Sequence, residues 1–459
     1  MTSPPNTTEK PESPTKPLKT TQKSSSSNSL KRLALKGSAW VMFGVGAGQA
    51  LRIGGNIILA RLLSPEAFGI MGIINALLMG FNMFSDVGLK PSIIQNRRGE
   101  EPAFLRTAWT IQVIRGIVLT LLAVALAWPI ATINNEPSLV LIISVAGLTS
   151  LIAGFNSTWL LVYSRRMILN KLVILGVMSY VLSLSAMILC AWYFRSVWAL
   201  VLGAFVNSFV TLLASHTILS GIQMRFQWEP EAVGELIRFG RWMFINTAMA
   251  FLVARLDVFI FGSFAGMSML GLYVLAKSLS DLVMRGLKTL SSNILFPVYS
   301  RLAERDIKSL RHKMFKARTI LLVVFLPPLW VLILWGGDLI DLLYDDRYLE
   351  AGWFLQILAA GATATVIRVT IAPVLLAVGD SFRNMVGTAI RLSLQIVSMI
   401  IGAYFWGIPG FFVGIALTDL LSYPALVYLI RPYGVWLPLL DTIAFGTSIF
   451  VIGIAFWLN

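Results

Sequence analysis

Apolar stretches of twenty or more residues recur along nearly the whole chain, and they constrain its fold more than any other feature. A helix needs about 20 apolar residues to cross the hydrocarbon core of a bilayer. The strands of a membrane barrel would instead alternate apolar and polar residues over about 10 positions. The chain is 57% hydrophobic and only 13% charged, whereas a soluble domain is about 25% charged. We therefore predict an all-α polytopic membrane protein.

The apolar stretches predict thirteen membrane-spanning helices, six in each of two bundles and one additional helix at the C-terminal end. Their predicted bounds are 36–62, 66–92, 107–131, 138–163, 171–194, 197–220, 237–264, 267–296, 317–340, 351–378, 384–406, 409–430 and 435–457. The predicted domains are a tail at 1–30, a first bundle at 31–221, a cytoplasmic linker at 222–236, a second bundle at 237–431 and the additional helix within 432–459. The tail is basic and rich in Ser, Thr and Pro, so we expect it to be disordered.

The distribution of Lys and Arg predicts the orientation of the chain. The formal net charge is +15, and most of the cations fall in the tail and in the loops on its side of the membrane. The opposite loops carry only Arg61, Arg195 and Arg347. Because cytoplasmic loops collect Lys and Arg, this asymmetry predicts a multi-pass protein of the cytoplasmic membrane with a cytoplasmic N-terminus. It also accounts for the net charge without a nucleic-acid partner.

Few residues offer disulfide, metal or cofactor chemistry. Cys190 is the only cysteine, which excludes a disulfide within the chain. The two histidines, His216 and His312, are too few for a His-ligated metal site. The sequence contains no Walker A motif for a nucleotide. We therefore expect neither a metal site nor a cofactor.

The stretch 242–285 has an earlier counterpart in the chain. With an offset of 202 positions it aligns without a gap on the stretch 40–83, so that Gly271 matches Gly69. A helix pair that recurs in two halves is typical of transporters built from repeats.

Ionisable residues lie inside the predicted spans, and the cations outnumber the acids. The cations are Arg52, Arg115, Arg255, Lys277, Arg285, Lys288, Arg368 and Arg391, and the acids are Asp86, Asp257, Asp281 and Asp419. A cation at the centre of a span costs at least about 2.5–3.5 kcal/mol, so it usually faces a partner or a water-filled cavity. Internal pairing or snorkelling to the interface is the alternative for any single residue. For the whole set, the excess of cations predicts a positively charged lumen that binds an anion such as a diphosphate.

Helical spacing groups some of these residues. Lys277, Asp281 and Arg285 are four positions apart and form one polar stripe, in which Asp281 can pair with either neighbour and leaves one cation over. Arg52 and Asn56 share a face of the first helix.

Four segments resemble a known family. Two lie near the start of the chain, KGSAWVMFGVGAGQALRIGGNIILARLLSPEAFGIMGI and FSDVGLKPSIIQ. Two lie in the second half, LVARLDVFIFGSFAGMSMLGLYVLAKSL and ILFPVYSRLAERDIKSLRHKMFKARTILLVVFLPP. In this order and spacing they resemble the Wzx-type polysaccharide flippases of the multidrug/oligosaccharidyl-lipid/polysaccharide exporter superfamily.

The resemblance implies both a fold and a function. It implies two six-helix bundles of the MATE type that face a central cavity and rock between inward-open and outward-open states. The implied substrate is an undecaprenyl-diphosphate-linked oligosaccharide, moved to the outer leaflet for export of cell-surface polysaccharide. The implied partners are this anionic lipid-linked oligosaccharide, membrane lipid, a polysaccharide polymerase and glycosyltransferases.

On this hypothesis the candidate residues have three roles. We expect Arg52, Asn56, Arg255, Lys277 and Arg368 to bind substrate, Arg115, Arg285 and Arg391 to line the cavity and its cytoplasmic entrance, and Asp257 or Asp281 to bind a coupling H⁺ or Na⁺. Moving negative charge outward runs with an inside-negative potential, which is worth about 2.3 kcal/mol per charge per 100 mV.

Three other classes of function stay open. A cation-coupled drug exporter of the same superfamily would prefer an acidic cavity, whereas these residues predict a basic one. A polysaccharide polymerase, a ligase or a lipid-linked glycosyltransferase would carry catalytic residues on a large external loop, and no such loop is predicted. A structural membrane protein would not need ionisable residues inside both halves. We therefore expect a transporter rather than an enzyme.

Overall fold

The computed structural model describes residues 23–85, 89, 93, 94, 96, 98–219, 221–240, 243–291, 295, 299 and 307–458. Within these residues the chain is helical and has no β-strand. Nine helices of the described part are long and apolar enough to cross a membrane, or ten if one bent pair counts as a single span. The predicted all-α polytopic membrane protein is confirmed, while the division into two six-helix bundles stays a prediction.

The helices pack in neighbouring pairs along the chain. Their bounds are α1 Lys23–Leu62, α2 Pro65–Ser85, α3 Pro102–Ile133, α4 Ser138–Gly154, α5 Trp159–Arg165, α6 Leu169–Phe194, α7 Trp198–Thr217, α8 Pro230–Gly240, α9 Met243–Leu290, α10 Ile307–Leu343, α11 Ala351–Ile371, α12 Pro373–Ala377, α13 Ser381–Ile430 and α14 Pro438–Leu458. The pairs α3–α4, α6–α7 and α10–α11 are each in extensive contact, α2 lies along α9, and α14 packs on α10 and α11.

Two of the helices are about twice the length of a membrane span and are broken at a glycine. α9 is interrupted at Gly266 (φ 81°, ψ 168°) and α13 at Gly407 (φ 62°, ψ −135°). Glycine adopts a positive φ without the steric cost that a Cβ atom would add. Each break joins two apolar arms that fold back as a hairpin, 243–265 and 267–290 in α9 and 381–406 and 408–430 in α13. The arms correspond to the predicted helices 237–264, 267–296, 384–406 and 409–430.

A buried aromatic cluster lies beside both breaks. Phe261 of α9 stacks on Phe411 of α13 with ring centroids 5.1 Å apart, and Phe412 lies 4.3 Å from Phe354 of α11. Tyr273 of the second α9 arm joins the cluster, 5.3 Å from Phe412. All five rings are buried. Aromatic contacts of this geometry add to the stabilisation from burial, so the cluster fixes the two hairpins against each other.

The predicted continuous helix 138–163 is wrong. The structure has two helices here, α4 and α5, bent by 62° at a short break. The carboxamide of Gln112 donates hydrogen bonds to the carbonyl oxygens of Ala153 (3.3 Å), Gly154 (3.0 Å) and Asn156 (2.9 Å). A break frees backbone carbonyls that cost several kcal/mol each if left unsatisfied in a bilayer. The side chain from α3 satisfies them, so the break is tolerated.

Helix bounds differ from prediction at other places too. α10 begins at Ile307 rather than at residue 317, and the predicted helix 351–378 is divided into α11 and α12. α1 begins at Lys23 rather than at residue 36, so residues 23–30 of the predicted disordered tail are helical, while residues 1–22 lie outside the described residues. Extending an existing helix costs little, because each added residue gains a hydrogen bond. The short helix α8 begins at Pro230 within the predicted linker and runs to Gly240, into the predicted span 237–264; it buries Ala232 and Leu236.

Candidate functional site

Two adjoining cavities lie between α1 and α9. One has a volume of about 460 Å³ and extends towards α2, α6 and α7. The other has a volume of about 600 Å³ and extends towards α11 and α13. The shared wall consists of the side chains Arg52, Arg255, Lys277, Asp281 and Arg285. Each cavity is within the size range of ligand pockets, about 300–1,000 Å³, and we call the two together the central cavity.

Cations dominate the lining of the central cavity. The lining cations are Arg52, Arg255, Lys277, Arg285, Lys288, Arg368 and Arg391, and the lining acids are Asp257, Asp281 and Asp419. Most of the residues singled out by sequence are therefore brought together. The lumen is basic, as the excess of intramembrane cations predicts.

Three guanidinium groups of the shared wall make no ion pair within the described part of the chain. Arg285 donates a hydrogen bond to the side-chain oxygen of Gln49 at 2.9 Å. Arg255 donates from Nε to the sulfur of Met79 at 3.0 Å, and a thioether is a weak acceptor. Arg52 is exposed to the cavity. Because a guanidinium has five N–H donors, most of the donors of these three residues stay available for a ligand.

Lys277 is neutralised across the α9 hairpin. The break at Gly266 folds the two arms together, so that Lys277 pairs with Asp257 on the facing arm. The Tyr273 hydroxyl also donates to Asp257, and Lys277 Nζ lies 3.0 Å from that hydroxyl oxygen. Asp257 is only 2% exposed. Lys277 and Asp257 therefore form a paired polar group rather than two free charges.

The predicted pairing of Asp281 with Lys277 or Arg285 is wrong. Neighbours four positions apart on a helix are within reach of each other. Here, however, Lys277 forms an ion pair with Asp257, and Arg285 donates a hydrogen bond to Gln49. Asp281 lines both cavities and makes no ion pair with any residue that the structure describes. Among the described residues, it is the carboxylate of the site that has no ion pair.

Asp419 holds the arginines of the second cavity. It accepts a two-point hydrogen bond from Arg391, with Nε–Oδ1 at 2.5 Å and Nη2–Oδ2 at 2.9 Å. Arg368 Nε lies 3.8 Å from Asp419 Oδ1, and Thr365 donates to Oδ2 at 2.5 Å. The sequence identified Asp419 only as an acid at membrane depth. Its role in orienting two cations depends on the hairpin at Gly407, which brings both arms of α13 to α11.

One candidate residue lies away from the central cavity. Arg115 lines a separate cavity of about 200 Å³ beside Gln112 and Asn156. Arg115 therefore does not line the central cavity, while its predicted place at the cytoplasmic entrance stays a prediction. Asp86 lies outside the described residues.

Sequence reasoning missed the uncharged polar residues of the site. Asn75 of α2, Tyr180 of α6 and Asn207 of α7 line the 460 Å³ cavity, together with the predicted Asn56. The only signal for Asn75 and Asn207 in the sequence is an isolated amide within an apolar helix. Asn56 donates to the Ser278 hydroxyl at 3.4 Å.

The cavity is closed at the end where α1 turns into α2. Phe68, which lines the 460 Å³ cavity, packs edge-on against Tyr348 at 6.1 Å. Tyr348 is fully buried and donates a hydrogen bond to the carbonyl oxygen of Leu63 at 3.0 Å. Arg347 donates to the carbonyl oxygen of Ala60 at 3.1 Å. The last carbonyls of a helix lack partners within it, and here the segment after α10 supplies them.

Comparison with known proteins identifies a family that the chain matches. The profile of a family described as polysaccharide biosynthesis protein matches residues 58–352. The lipopolysaccharide biosynthesis protein WzxC of Escherichia coli (strain K12) is 22% identical over 406 residues, which is 86% of this chain and 80% of that protein.

Solved structures share the fold. The lipid II flippase MurJ in an inward closed conformation aligns with a TM-score of 0.70 and 13% identity, covering 93% of each chain. An inward-facing multidrug resistance MATE family transporter of the MOP superfamily aligns with a TM-score of 0.64 and 15% identity, covering 84% of this chain and 94% of that chain. The resemblance drawn from the sequence motifs is confirmed.

Proposed function

We propose that this chain, which belongs to the polysaccharide biosynthesis protein family, is a transporter that flips an undecaprenyl-diphosphate-linked oligosaccharide across the cytoplasmic membrane. The observation that carries the proposal is that the guanidinium groups of Arg52, Arg255 and Arg285, on the wall shared by the two cavities, make no ion pair within the described residues. Cations at membrane depth are expensive and mark substrate paths. A diphosphate is a natural ligand because guanidinium groups bind phosphate oxygens in pairs.

The other charges of the cavity have supporting roles. Lys277 is paired with Asp257, so it reaches the substrate only if that pair opens. Arg368 and Arg391 are held by Asp419 and offer a weaker attraction. The diphosphate is therefore expected to bind first at Arg52, Arg255 and Arg285. We therefore assign Arg285 to the substrate site rather than to the cytoplasmic entrance that the sequence predicted.

Alternating access of two bundles provides the path. The proposed bundles are residues 31–221 and 237–431, and the central cavity lies where α1 and α2 meet α9. The asymmetry of Lys and Arg supports a cytoplasmic N-terminus. The closed end at Tyr348 is then the external end, so the described conformation would receive substrate from the cytoplasmic leaflet. Membrane lipid and the lipid-linked oligosaccharide are the proposed partners, with a polymerase and glycosyltransferases acting before or after transport.

Asp281 is the better candidate for a coupling ion. A proton or Na⁺ at Asp257 would compete with Lys277 and the Tyr273 hydroxyl for the carboxylate. Asp281 has no such competitor among the described residues, and it lies on the same wall as the proposed diphosphate site. Binding of a cation there would change the charge that the diphosphate meets.

The rival functions fit the cavity less well. A drug exporter that binds cations would need acids where the lining has seven cations and three acids. A polymerase or a glycosyltransferase would in addition require catalytic residues, whereas a transporter requires none.

The test is flipping of a fluorescent polyprenyl-diphosphate sugar by the purified protein in proteoliposomes, with and without an imposed potential. Arg52→Gln and Arg255→Gln should abolish flipping while the protein still inserts and stays folded. Arg195→Gln, at an exposed residue outside the cavity, removes the same charge and should have no effect. Normal flipping by both cavity variants would exclude the cationic site. Extension or consumption of the sugar lipid instead of flipping would indicate an enzyme.

A further inference from the structure

The two cavities differ in chemistry away from their shared wall. The side of the 600 Å³ cavity next to α11 and α13 carries charged residues, among them Asp257, Arg368 and Asp419. In the 460 Å³ cavity, every lining residue outside the shared wall is uncharged. Its polar groups there include the amides of Asn75 and Asn207. The charged wall is thus bordered on one side by a neutral polar lobe, which we call the amide lobe (Asn56, Asn75, Tyr180 and Asn207).

Two amides of this lobe have no hydrogen-bond partner among the residues that the structure describes. Within the described chain, the carboxamides of Asn75 and Asn207 make no hydrogen bond, although both sit in membrane-spanning helices and line the cavity. Polar side chains in a membrane usually hydrogen-bond to another helix or face a water-filled path. Asn56 illustrates the first case, since it donates to Ser278. Asn75 and Asn207 therefore have free donors and acceptors directed at whatever fills the cavity.

We propose that the amide lobe binds the sugar attached directly to the diphosphate. An amide both donates and accepts hydrogen bonds, as a sugar hydroxyl does, so Asn75 and Asn207 match a neutral polyhydroxylated ring. The lobe has no charge of its own and adjoins Arg52, so a ring bound there lies next to a diphosphate bound at the shared wall. Phe68 and Met71 supply apolar contact for the faces of the ring. This inference rests on the proposed function.

The lobe would make the transporter selective for a glycosylated lipid. An undecaprenyl diphosphate without sugar can satisfy the cationic wall but leaves the amides unpartnered. Asn75 is exposed and Asn207 is half-buried in the empty cavity. The glycosylated lipid gains hydrogen bonds to both amides that the bare lipid cannot make, so the bare lipid should bind about tenfold more weakly. Asn75 and Asn207 are thus specificity-determining residues, distinct from the arginines that bind the diphosphate.

The experiment measures binding of two lipids to purified protein in detergent. One is undecaprenyl diphosphate, and the other is the lipid-linked oligosaccharide pool extracted from membranes of the source cells. The variants are Asn75→Leu, Asn207→Leu and their combination, because leucine has a similar volume and no hydrogen-bonding group. Asn82→Leu, on the same helix as Asn75 but lining a different cavity, is the matched control. Tyr180→Phe removes only a hydroxyl group, so it still tests the lobe if the leucine variants fail to fold.

The expected result is loss of preference without loss of diphosphate binding. The double variant should bind both lipids equally and keep the wild-type affinity for undecaprenyl diphosphate, while the control keeps the preference of about tenfold. Tyr180→Phe should reduce the preference in part. A double variant that keeps the full preference, or a wild-type protein without one, would overturn the amide lobe while leaving the flippase proposal standing. If the wild-type protein binds neither lipid, the proposed function itself fails.

Discussion

Gly69 on α2 and Gly271 on the second arm of α9 pack backbone against backbone. A Cβ atom at Gly69 would lie 1.9 Å from the carbonyl oxygen of Met267, and one at Gly271 would lie 1.7 Å from the carbonyl oxygen of Pro65. The contact is reciprocal under the offset of 202 positions, because Pro65 corresponds to Met267 and Gly69 to Gly271. A two-fold axis produces this kind of contact between equivalent elements. The repeat seen in the sequence thus has a counterpart in the crossing of α2 and α9.

Gly69→Ala should destabilise the protein, because the new methyl group would overlap a backbone atom that cannot rotate away. Overpacking of this kind costs about 1–3 kcal/mol, and it should appear as a lower thermal unfolding midpoint of the purified protein in detergent. Gly176→Ala on α6 is the control, since a Cβ atom there meets nothing within 4 Å. Equal midpoints for the two variants would mean that the backbones of α2 and α9 are farther apart at this crossing than in the structure.

Long apolar runs were sufficient to predict most of the fold. The two arms of α9 were predicted as separate helices, 237–264 and 267–296, whose junction lies at Gly266. The break between α4 and α5 was not predicted, because residues 138–163 read as one apolar run and the break depends on Gln112, a side chain from another helix. α8 was missed for a different reason, since a short helix with one buried face has too few apolar residues to resemble a span.

The sequence was sufficient to predict which charged residues line the candidate site, but not which of them form ion pairs with each other. Charges inside apolar segments stand out in any sequence, and Arg52, Arg255 and Lys277 all line the cavity. Which charges neutralise each other depends on how faces of different helices meet. Spacing along one helix favours Lys277 with Asp281, whereas the fold pairs Lys277 with Asp257. For the same reason the sequence could not show that Arg115 faces a different cavity.

Asp441→Ala should detach α14 from the rest of the protein. Arg318 of α10 and Asp441 form an ion pair whose side chains are 0% and 3% exposed. Tyr423 donates to the other carboxylate oxygen at 2.7 Å, and Arg318 Nε donates to Thr370 at 3.2 Å. Removing one partner of a buried pair costs about 3–5 kcal/mol, because the remaining charge is left uncompensated. The measurement is the thermal unfolding midpoint, with protease cleavage before α14 as a second readout.

The matched control for this pair removes both charges. Replacing Arg318 by Met and Asp441 by Leu together should restore most of the lost stability, since an apolar pair of similar volume is often neutral. If the single and the double variants are equally unstable, shape rather than charge holds α14. If the single variant is as stable as the wild type, the pair contributes nothing.

Asp281→Asn should change the ion dependence of transport more than Asp257→Asn does. Asp281 faces the cavity and makes no ion pair with the residues that the structure describes, whereas Asp257 is already bound by Lys277 and Tyr273. In proteoliposomes with the potential clamped, wild-type flipping should respond to an imposed H⁺ or Na⁺ gradient. The Asp281 variant should flip at a rate that no longer depends on the gradient. A variant that keeps the wild-type gradient response would exclude Asp281 as the coupling site.

Tyr348→Phe should favour opening of the proposed external end. The hydroxyl donates to the carbonyl oxygen of Leu63 from a fully buried ring. Losing one such hydrogen bond costs about 1 kcal/mol, or about fivefold in an equilibrium. Spin labels on cysteines at Ser64 and Glu350, in a chain without other cysteines, report the opening as a longer distance. The fraction of open molecules should rise, while Tyr428→Phe at an exposed ring should leave it unchanged. An unchanged distance distribution in both variants would show that the bond does not hold this end closed.

Acid pH should loosen the same end through Asp345. Arg347 donates to this carboxylate, with Nε–Oδ1 at 3.1 Å, and to the carbonyl oxygens of Ala60 at 3.1 Å and Arg61 at 3.3 Å. The hydrogen bonds from Arg347 hold the pKa of Asp345 below its ordinary value. Ionised Asp345 orients Arg347 towards these two carbonyl oxygens above the ordinary carboxyl pKa of about 3.9, and this support is lost as pH falls through the lowered value. The spin-label distance should therefore stay constant between about pH 7 and 5 and lengthen below about pH 4. Asp345→Asn should remove that pH step, and a step of unchanged size in the variant would assign it to another group.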